Sequence, residues 1–81
     1  MTQQDVLDRL QPIFRDVLDE DALVITLQSS ASNTPNWDSL VHINLIDSVE
    51  REFHVKFALG EVAQMKEVGD LVDLVMKKSS K

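Results

Sequence analysis

Apolar residues recur at steps of three and four in three separate segments of this chain, residues 6–18, 40–53 and 68–76. In the second segment these residues are Leu40, Ile43, Ile46, Val49 and Phe53. That spacing places them on one face of an α-helix, and each helix must bury its face against the others. Residues 22–27 are the one strand-like run, and a single strand has no partner with which to form a sheet. We therefore expect an extended segment there that places Val24 or Ile25, together with Leu27, on a helical core.

The connections between these segments differ in length. Residues 28–36 are rich in serine, asparagine and proline, which favour a loop. After the second helix, Phe57 and Leu59 are expected to anchor a short helical turn through residues 61–63, although Gly60 weakens it. The pattern predicts an all-α four-helix bundle, with three longer helices, one short helix and a long loop between helices 1 and 2.

The first helix contains a proline. Thr2 can cap this helix, but Pro12 lies inside its apolar pattern. An interior proline removes one helical hydrogen bond, so we expect a kink between Asp8 and Pro12 and favour it over a start later than Thr2. The acids at 19–21 predict a solvated turn after this helix.

Length, charge and cysteine content limit the functions open to the chain. Its 81 residues, none of them cysteine, predict one domain spanning 1–81, with a frayed tail at 79–81. A net charge of −6 disfavours nucleic acids and anionic membranes and favours basic protein partners. No apolar stretch approaches the roughly 20 residues that span a bilayer, and the first residues lack the order of a signal peptide. We expect a monomeric, cytoplasmic protein.

Catalytic and metal sites find little support in the residues. Ser39 and His42 could share a helix face, but no third member of a triad is marked. The acids at 16–21 lack the central glycine and terminal glutamate of a calcium loop. We expect no catalytic residue and no metal site, with His42 on a helix surface and His54 at a helix end or in a turn.

Asp38 and Ser39 lie where the polar loop gives way to the second helix, which should run from about Ser39 to Phe53. Either side chain can cap the first turn, and on these two residues alone capping is the favoured interpretation. A phosphate on the Ser39 hydroxyl would also be stabilised there, because free N–H groups and the helix dipole favour negative charge at that end.

The segment Trp37-Asp38-Ser39-Leu40, with the hydrophobic spacing on both sides of it, resembles the acyl carrier proteins. The resemblance covers nearly the whole chain and implies an acyl-carrier-like bundle. It implies that Ser39, within the Asp38-Ser39-Leu40 motif, receives 4'-phosphopantetheine from coenzyme A through a phosphopantetheinyl transferase. The thiol of this arm would carry acyl groups as thioesters between acyl-loading and acyl-transfer enzymes, and the carrier itself would catalyse nothing.

The second helix departs from the common fatty-acid carriers in its charge. In those carriers the helix begins with strongly acidic residues, whereas this chain has Val41, His42 and Asn44 there. Further along the helix, Arg51 reduces the negative charge. These departures favour a specialised carrier of a dedicated pathway, such as polyketide or polysaccharide synthesis, because charge complementarity selects partners. The residues expected to contact enzymes with basic docking surfaces are Val41, Asn44, Asp47, Glu50 and Glu61.

Two alternative functions of the chain, and the role of one residue, remain open from the sequence. The chain could be an unmodified, acidic helical module for protein binding, or a carrier of D-alanyl or other aminoacyl groups. Trp37 could staple the loop onto the second helix, which we favour, or flank the phosphopantetheine arm.

Overall fold

The computed structural model describes residues 2–79, which form four helices. The helices are α1 (Gln3–Val17), α2 (Ser39–Phe53), α3 (Leu59–Gln64) and α4 (Val68–Ser79). This order, with the long connection between α1 and α2, confirms the predicted all-α bundle. Within the described residues, no helix combines the length and the hydropathy needed to cross a membrane.

Helix α1 begins with a reciprocal cap. The Thr2 hydroxyl accepts a hydrogen bond from the Asp5 N–H at 3.1 Å, and the Asp5 carboxylate accepts one from the Thr2 N–H at 3.0 Å. The helix then continues through Pro12 to Val17, so the alternative of a later start is wrong. The kink near Pro12 stays a prediction.

The core lies between α1, α2 and α4, because α1 packs against both of the other long helices. Helix α3 contributes no buried residue, and Leu59, which was expected to anchor it, is exposed, so that part of the expectation is wrong. Phe57 is partly buried and packs against the core. All but one of the fully buried side chains belong to the predicted amphipathic faces, and the exception is Leu45. These side chains are mostly aliphatic: Val6, Leu10, Phe14, Leu45, Val49, Val68, Val72 and Val75.

The long connection is held on α1 by side chains instead of by a strand partner. The side chains of Gln11 and Arg15 both donate to the backbone carbonyl of Leu23, at 2.8 and 2.7 Å. The side-chain oxygen of Gln11, Oε1, accepts from the Ile25 N–H at 3.1 Å. Ile25 is buried, whereas Val24 is exposed. The prediction of a segment anchored on the helical core is confirmed, with Ile25 as its core residue.

A second set of bonds ties the loop to the start of α4. The N–H groups of Val68 and Gly69 donate to the carbonyls of Ser29 and Leu27, both at 2.8 Å. A Cβ atom on Gly69 would lie 3.1 Å from the Leu27 carbonyl oxygen, so the close approach favours glycine. Loop and α4 are thereby fixed to each other.

The end of the chain differs slightly from expectation. Ser79, expected to begin a frayed tail, is the last residue of α4, and its hydroxyl donates to the Val75 carbonyl at 2.6 Å. The rest of that tail, residues 80–81, lies outside the described residues.

Candidate attachment site at the start of helix α2

Ser39 is the first residue of α2 and is exposed. The residue before it, Asp38, has extended backbone angles and accepts the Val41 N–H on its carboxylate at 2.9 Å. Asp38 is therefore the N-cap, and the hydroxyl of Ser39 is not needed for that cap. From the sequence, either side chain could have capped the helix; in the structure Asp38 caps it and Ser39 is the first helical residue.

The start of α2 is electrostatically suited to a phosphate. The N–H groups of Ser39 and Leu40 belong to the first turn, where no intrahelical carbonyl is available to them. Within α2 the first turn contains no acidic residue. An anion on the Ser39 hydroxyl would therefore meet free N–H donors and the positive end of the helix dipole, opposed by the Asp38 carboxylate alone on this turn.

Trp37 fixes the entry of the loop into α2. It is buried, and its ring packs edge-on against Phe14 of α1 with ring centroids 5.3 Å apart. Its Nε1–H donates to Nδ1 of His42 at 3.2 Å, and the two rings are stacked with centroids 6.0 Å apart. Trp37 precedes the cap and His42 is the fourth helical residue, so this contact confirms the predicted staple.

A groove of about 480 Å³ opens beside Ser39. Its walls come from the loop, from the first turns of α2 and from the connection between α3 and α4. The lining residues are Ala31, Trp37, Asp38, Ser39, His42, Ile43, Met65 and Lys66. The part of Lys66 in this site was missed from the sequence, since the contact joins segments distant along the chain.

The predicted apolar face of α2 is wrong in its first turns. Leu40 and Ile43 are 70% and 63% exposed, whereas Ile46, Val49 and Phe53 are buried as expected. The structural reason is that Trp37, from the preceding loop, fills the space against Phe14 at this end of the core. Leu40 and Ile43 consequently flank Ser39 on the surface.

The residues predicted to contact partners do not form one cluster with Ser39. Val41 is half-buried against the core and Asn44 is exposed. Asp47 and Glu50 line a separate hollow of about 270 Å³ at the far end of α2, and Glu61 lines another next to α4.

All three of these carboxylates have partners within the chain. Asp47 pairs with Arg51, one turn further along α2, and Glu50 accepts the Phe57 N–H at 2.8 Å. Glu61 accepts the Ala58 N–H at 2.8 Å and pairs with Lys78 at 2.9 Å. These bonds, first the one from Ala58, hold the pKa of the Glu61 carboxyl below its ordinary value. Their roles within the fold could not be read from the sequence.

The two histidines differ in their surroundings. His42 accepts from Trp37 through Nδ1, so in its neutral form the ring proton resides on Nε2. His54 ends α2 with a left-handed backbone, φ 56°, and its N–H donates to the Glu50 carbonyl, which confirms the predicted helix-end position. Within residues 2–79, no group of three or more histidines and acids could hold a metal ion.

Comparison with family models found none that matches the chain. Among curated proteins, the chain is 32% identical to an acyl carrier protein of Coprothermobacter proteolyticus, over 93% of this chain and 92% of that protein. It is 31% identical to one of Thermosynechococcus vestitus, over 96% of each chain. Among solved structures, it is similar to a holo acyl carrier protein from Geobacter metallireducens, with 55% identity and a TM-score of 0.84, over 90% of this chain and 84% of that one.

Proposed function

The chain belongs to the acyl carrier protein family, and we propose that Ser39 is the residue to which its 4'-phosphopantetheine is attached. The observation that carries the proposal is the exposed hydroxyl of Ser39 at the first position of α2, next to a cap that Asp38 provides on its own. The group supplies a thiol on which acyl groups are held as thioesters. No cysteine of the chain could take that role, because there is none.

The surroundings of Ser39 fit such a group. Free N–H donors of the first turn and the helix dipole stabilise a phosphodiester on the hydroxyl. The adjoining groove offers apolar contacts from Ile43 and Met65 and a cation from Lys66. Leu40 is 70% exposed beside the hydroxyl, which leaves it free to contact an enzyme that acts on Ser39.

The carrier is a substrate of its transferase in this proposal, and its own residues catalyse nothing. Ser39 Oγ forms the new bond to the β-phosphorus of coenzyme A, while the pyrophosphate bond breaks and releases adenosine 3',5'-bisphosphate. The hydroxyl proton passes to a base of the transferase. The chain contributes the exposed position of Oγ. The hydrogen bond from the Val41 N–H to the Asp38 carboxylate fixes the beginning of α2 and thereby the place of this hydroxyl.

Partner enzymes are proposed to dock along α2, through Leu40, Val41, Asn44 and Asp47. Asp47 lies eight residues from Ser39, roughly 12 Å along the helix axis, within reach of one interface. Asp47, Glu50 and Glu61 would each contribute weaker contacts than a free carboxylate, because all three already bind groups of this chain. A face so poor in free carboxylates supports partners of a dedicated pathway, which a strongly acidic carrier would serve less well.

The test is the intact mass of the protein after incubation with coenzyme A, Mg²⁺ and a promiscuous phosphopantetheinyl transferase. We expect the parent to gain one phosphopantetheine and Ser39→Ala to gain none. Ser48→Ala, a second serine of α2, is the matched control and should be loaded like the parent. Loading of Ser39→Ala, or no loading of the parent, would contradict the assignment.

A further inference from the structure

We propose that His42 is a positioning residue for the modification of Ser39: in its neutral form it holds Trp37 in place, and protonation of its imidazole releases that hold. The inference rests on the proposed attachment at Ser39. His42 takes no part in the chemistry and acts through Trp37, which directly precedes Asp38, the cap of α2. The presentation of the Ser39 hydroxyl to a transferase thereby depends on pH.

The contact between Trp37 and His42 permits one protonation state of the imidazole. An indole N–H donates a hydrogen bond and cannot accept one. Because the Trp37 Nε1–H donates to His42 Nδ1 at 3.2 Å, Nδ1 must carry a lone pair. An imidazolium has a proton on both ring nitrogens, so it would set two N–H donors against each other, and turning the ring over would restore no acceptor.

The lost hydrogen bond is poorly replaced by water. Trp37 is buried and His42 is half-buried, so the indole N–H would be left without its acceptor in a place that solvent reaches with difficulty. The two rings are stacked with centroids 6.0 Å apart, and attraction between a cation and an aromatic face would offset part of the loss. Stacking alone gives the indole N–H no fixed direction, however, so the ring is held less firmly.

The end of the loop depends on this hold. Asn36, directly before Trp37, has a left-handed backbone with φ 67°, which turns the chain toward α2. Its side-chain Nδ2 donates to the Leu18 carbonyl at 3.4 Å, a long hydrogen bond. Trp37 supplies the firmer anchor through His42 and through its edge-on contact with Phe14. A looser Trp37 therefore changes how the chain enters the cap at the start of α2.

Two charged side chains share the groove with His42, and they have opposite signs. The loop contributes the carboxylate of Asp38, and the connection between α3 and α4 contributes the ammonium of Lys66. Helix α1 contributes the uncharged ring of Phe14 behind Trp37. Carboxylates and lysines ordinarily titrate outside the range of about pH 5 to 8, whereas histidine titrates within it. A transition of the indole in this range therefore reports a histidine.

The composition of the chain makes a direct test possible, because Trp37 is its only tryptophan and gives a single indole signal. The ¹⁵N–¹H signal of this indole is followed between about pH 8 and pH 5 in the unmodified protein. His42→Asn places an amide oxygen where Nδ1 lies and does not titrate, whereas His42→Leu removes the acceptor. His54→Asn is the matched control, since asparagine tolerates the left-handed backbone of that position.

We expect the indole proton signal of the parent and of His54→Asn to move upfield as the pH falls, as the hydrogen bond is lost. In His42→Asn the signal should stay near the parent's position at high pH. An indole signal of the parent that does not move, or that moves equally in His42→Asn, would overturn the inference.

The effect on modification is measured as kcat/KM for loading by one transferase, taken as the ratio of parent to His42→Asn at each pH. This ratio cancels the pH dependence of the enzyme itself. We expect it to fall about threefold between about pH 7.5 and pH 5.5, within the range for loss of one hydrogen bond, and the parent should then approach His42→Leu. A constant ratio would overturn the positioning role. A parent that is not loaded at any pH would instead contradict the attachment at Ser39, while the indole signal would still report the contact with His42.

Discussion

At the scale of single residues, Asp38 and Ser39 show how one motif can serve both fold and function. Asp38 accepts the Val41 N–H and stabilises the first turn of α2, whereas Ser39 is exposed beside it. A serine at the cap position itself would turn its hydroxyl back toward the helix. The order of the two residues therefore leaves the hydroxyl accessible while the helix end stays capped.

This division of roles predicts different effects on stability. Asp38→Ala should lower the free energy of unfolding by about 1 kcal/mol, because the Val41 N–H loses its acceptor. Ser39→Ala should change it by less than about 0.5 kcal/mol, as expected for an exposed site away from such a bond. Urea unfolding followed by circular dichroism measures both. Equal losses in the two variants would show that the Ser39 hydroxyl shares the cap.

At the scale of elements, helical periodicity identified the three long helices correctly, since a spacing of three and four is a local property of the chain. Periodicity failed at Leu40 and Ile43, because it cannot show where a helix extends past its neighbours or that Trp37 fills that end of the core. The motif pointed to Ser39, but it gave no sign of Lys66, which lines the same groove only because the chain is folded. Long-range contacts of this kind leave no periodic signal.

The beginning of α4 offers a prediction about pH. Asp70 accepts the N–H groups of Lys66 and Glu67, and these bonds, first the one from Lys66, hold the pKa of its carboxyl below the ordinary value of 3.8. A carboxyl whose pKa is lowered on folding stabilises the protein above its unfolded pKa, and this contribution is lost as pH falls through the folded value. Acidification below about pH 4 should therefore weaken the parent.

The variant Asp70→Asn tests whether the carboxylate of Asp70 is the source of this loss of stability in acid. The variant should be less stable than the parent near neutral pH, and the difference should shrink as the pH falls below about 4, because an amide does not titrate. Urea midpoints at several pH values measure it. Asp73→Asn, an exposed acid further along α4 with the same change of charge, is the control. A difference independent of pH would show that the carboxylate charge of Asp70 contributes nothing.

At the scale of the whole molecule, the net charge of −6 overstates the negative charge that a partner would meet along α2. Asp47 pairs with Arg51, Glu52 pairs with Arg9, and Glu50 binds the backbone of Phe57. The negative field of the protein would therefore attract basic enzymes from a distance, while the helix surface next to Ser39 presents the exposed apolar side chains of Leu40 and Ile43 for close contact. Attraction and close contact are governed by different residues.

This separation predicts that removing a cation from α2 raises the rate at which a transferase loads Ser39. Arg51 is exposed and pairs with Asp47, so Arg51→Ala should free that carboxylate and make the docking helix more acidic. Loading of Ser39 by a transferase with a basic docking surface should then rise about twofold in kcat/KM at low ionic strength, and the gain should fade as salt screens the charges. Lys77→Ala makes the same change of net charge on α4. A gain confined to Arg51→Ala would place docking on α2. Equal gains in both variants would show that overall charge governs the encounter. No gain in either variant would argue against recognition of Asp47 by a basic partner.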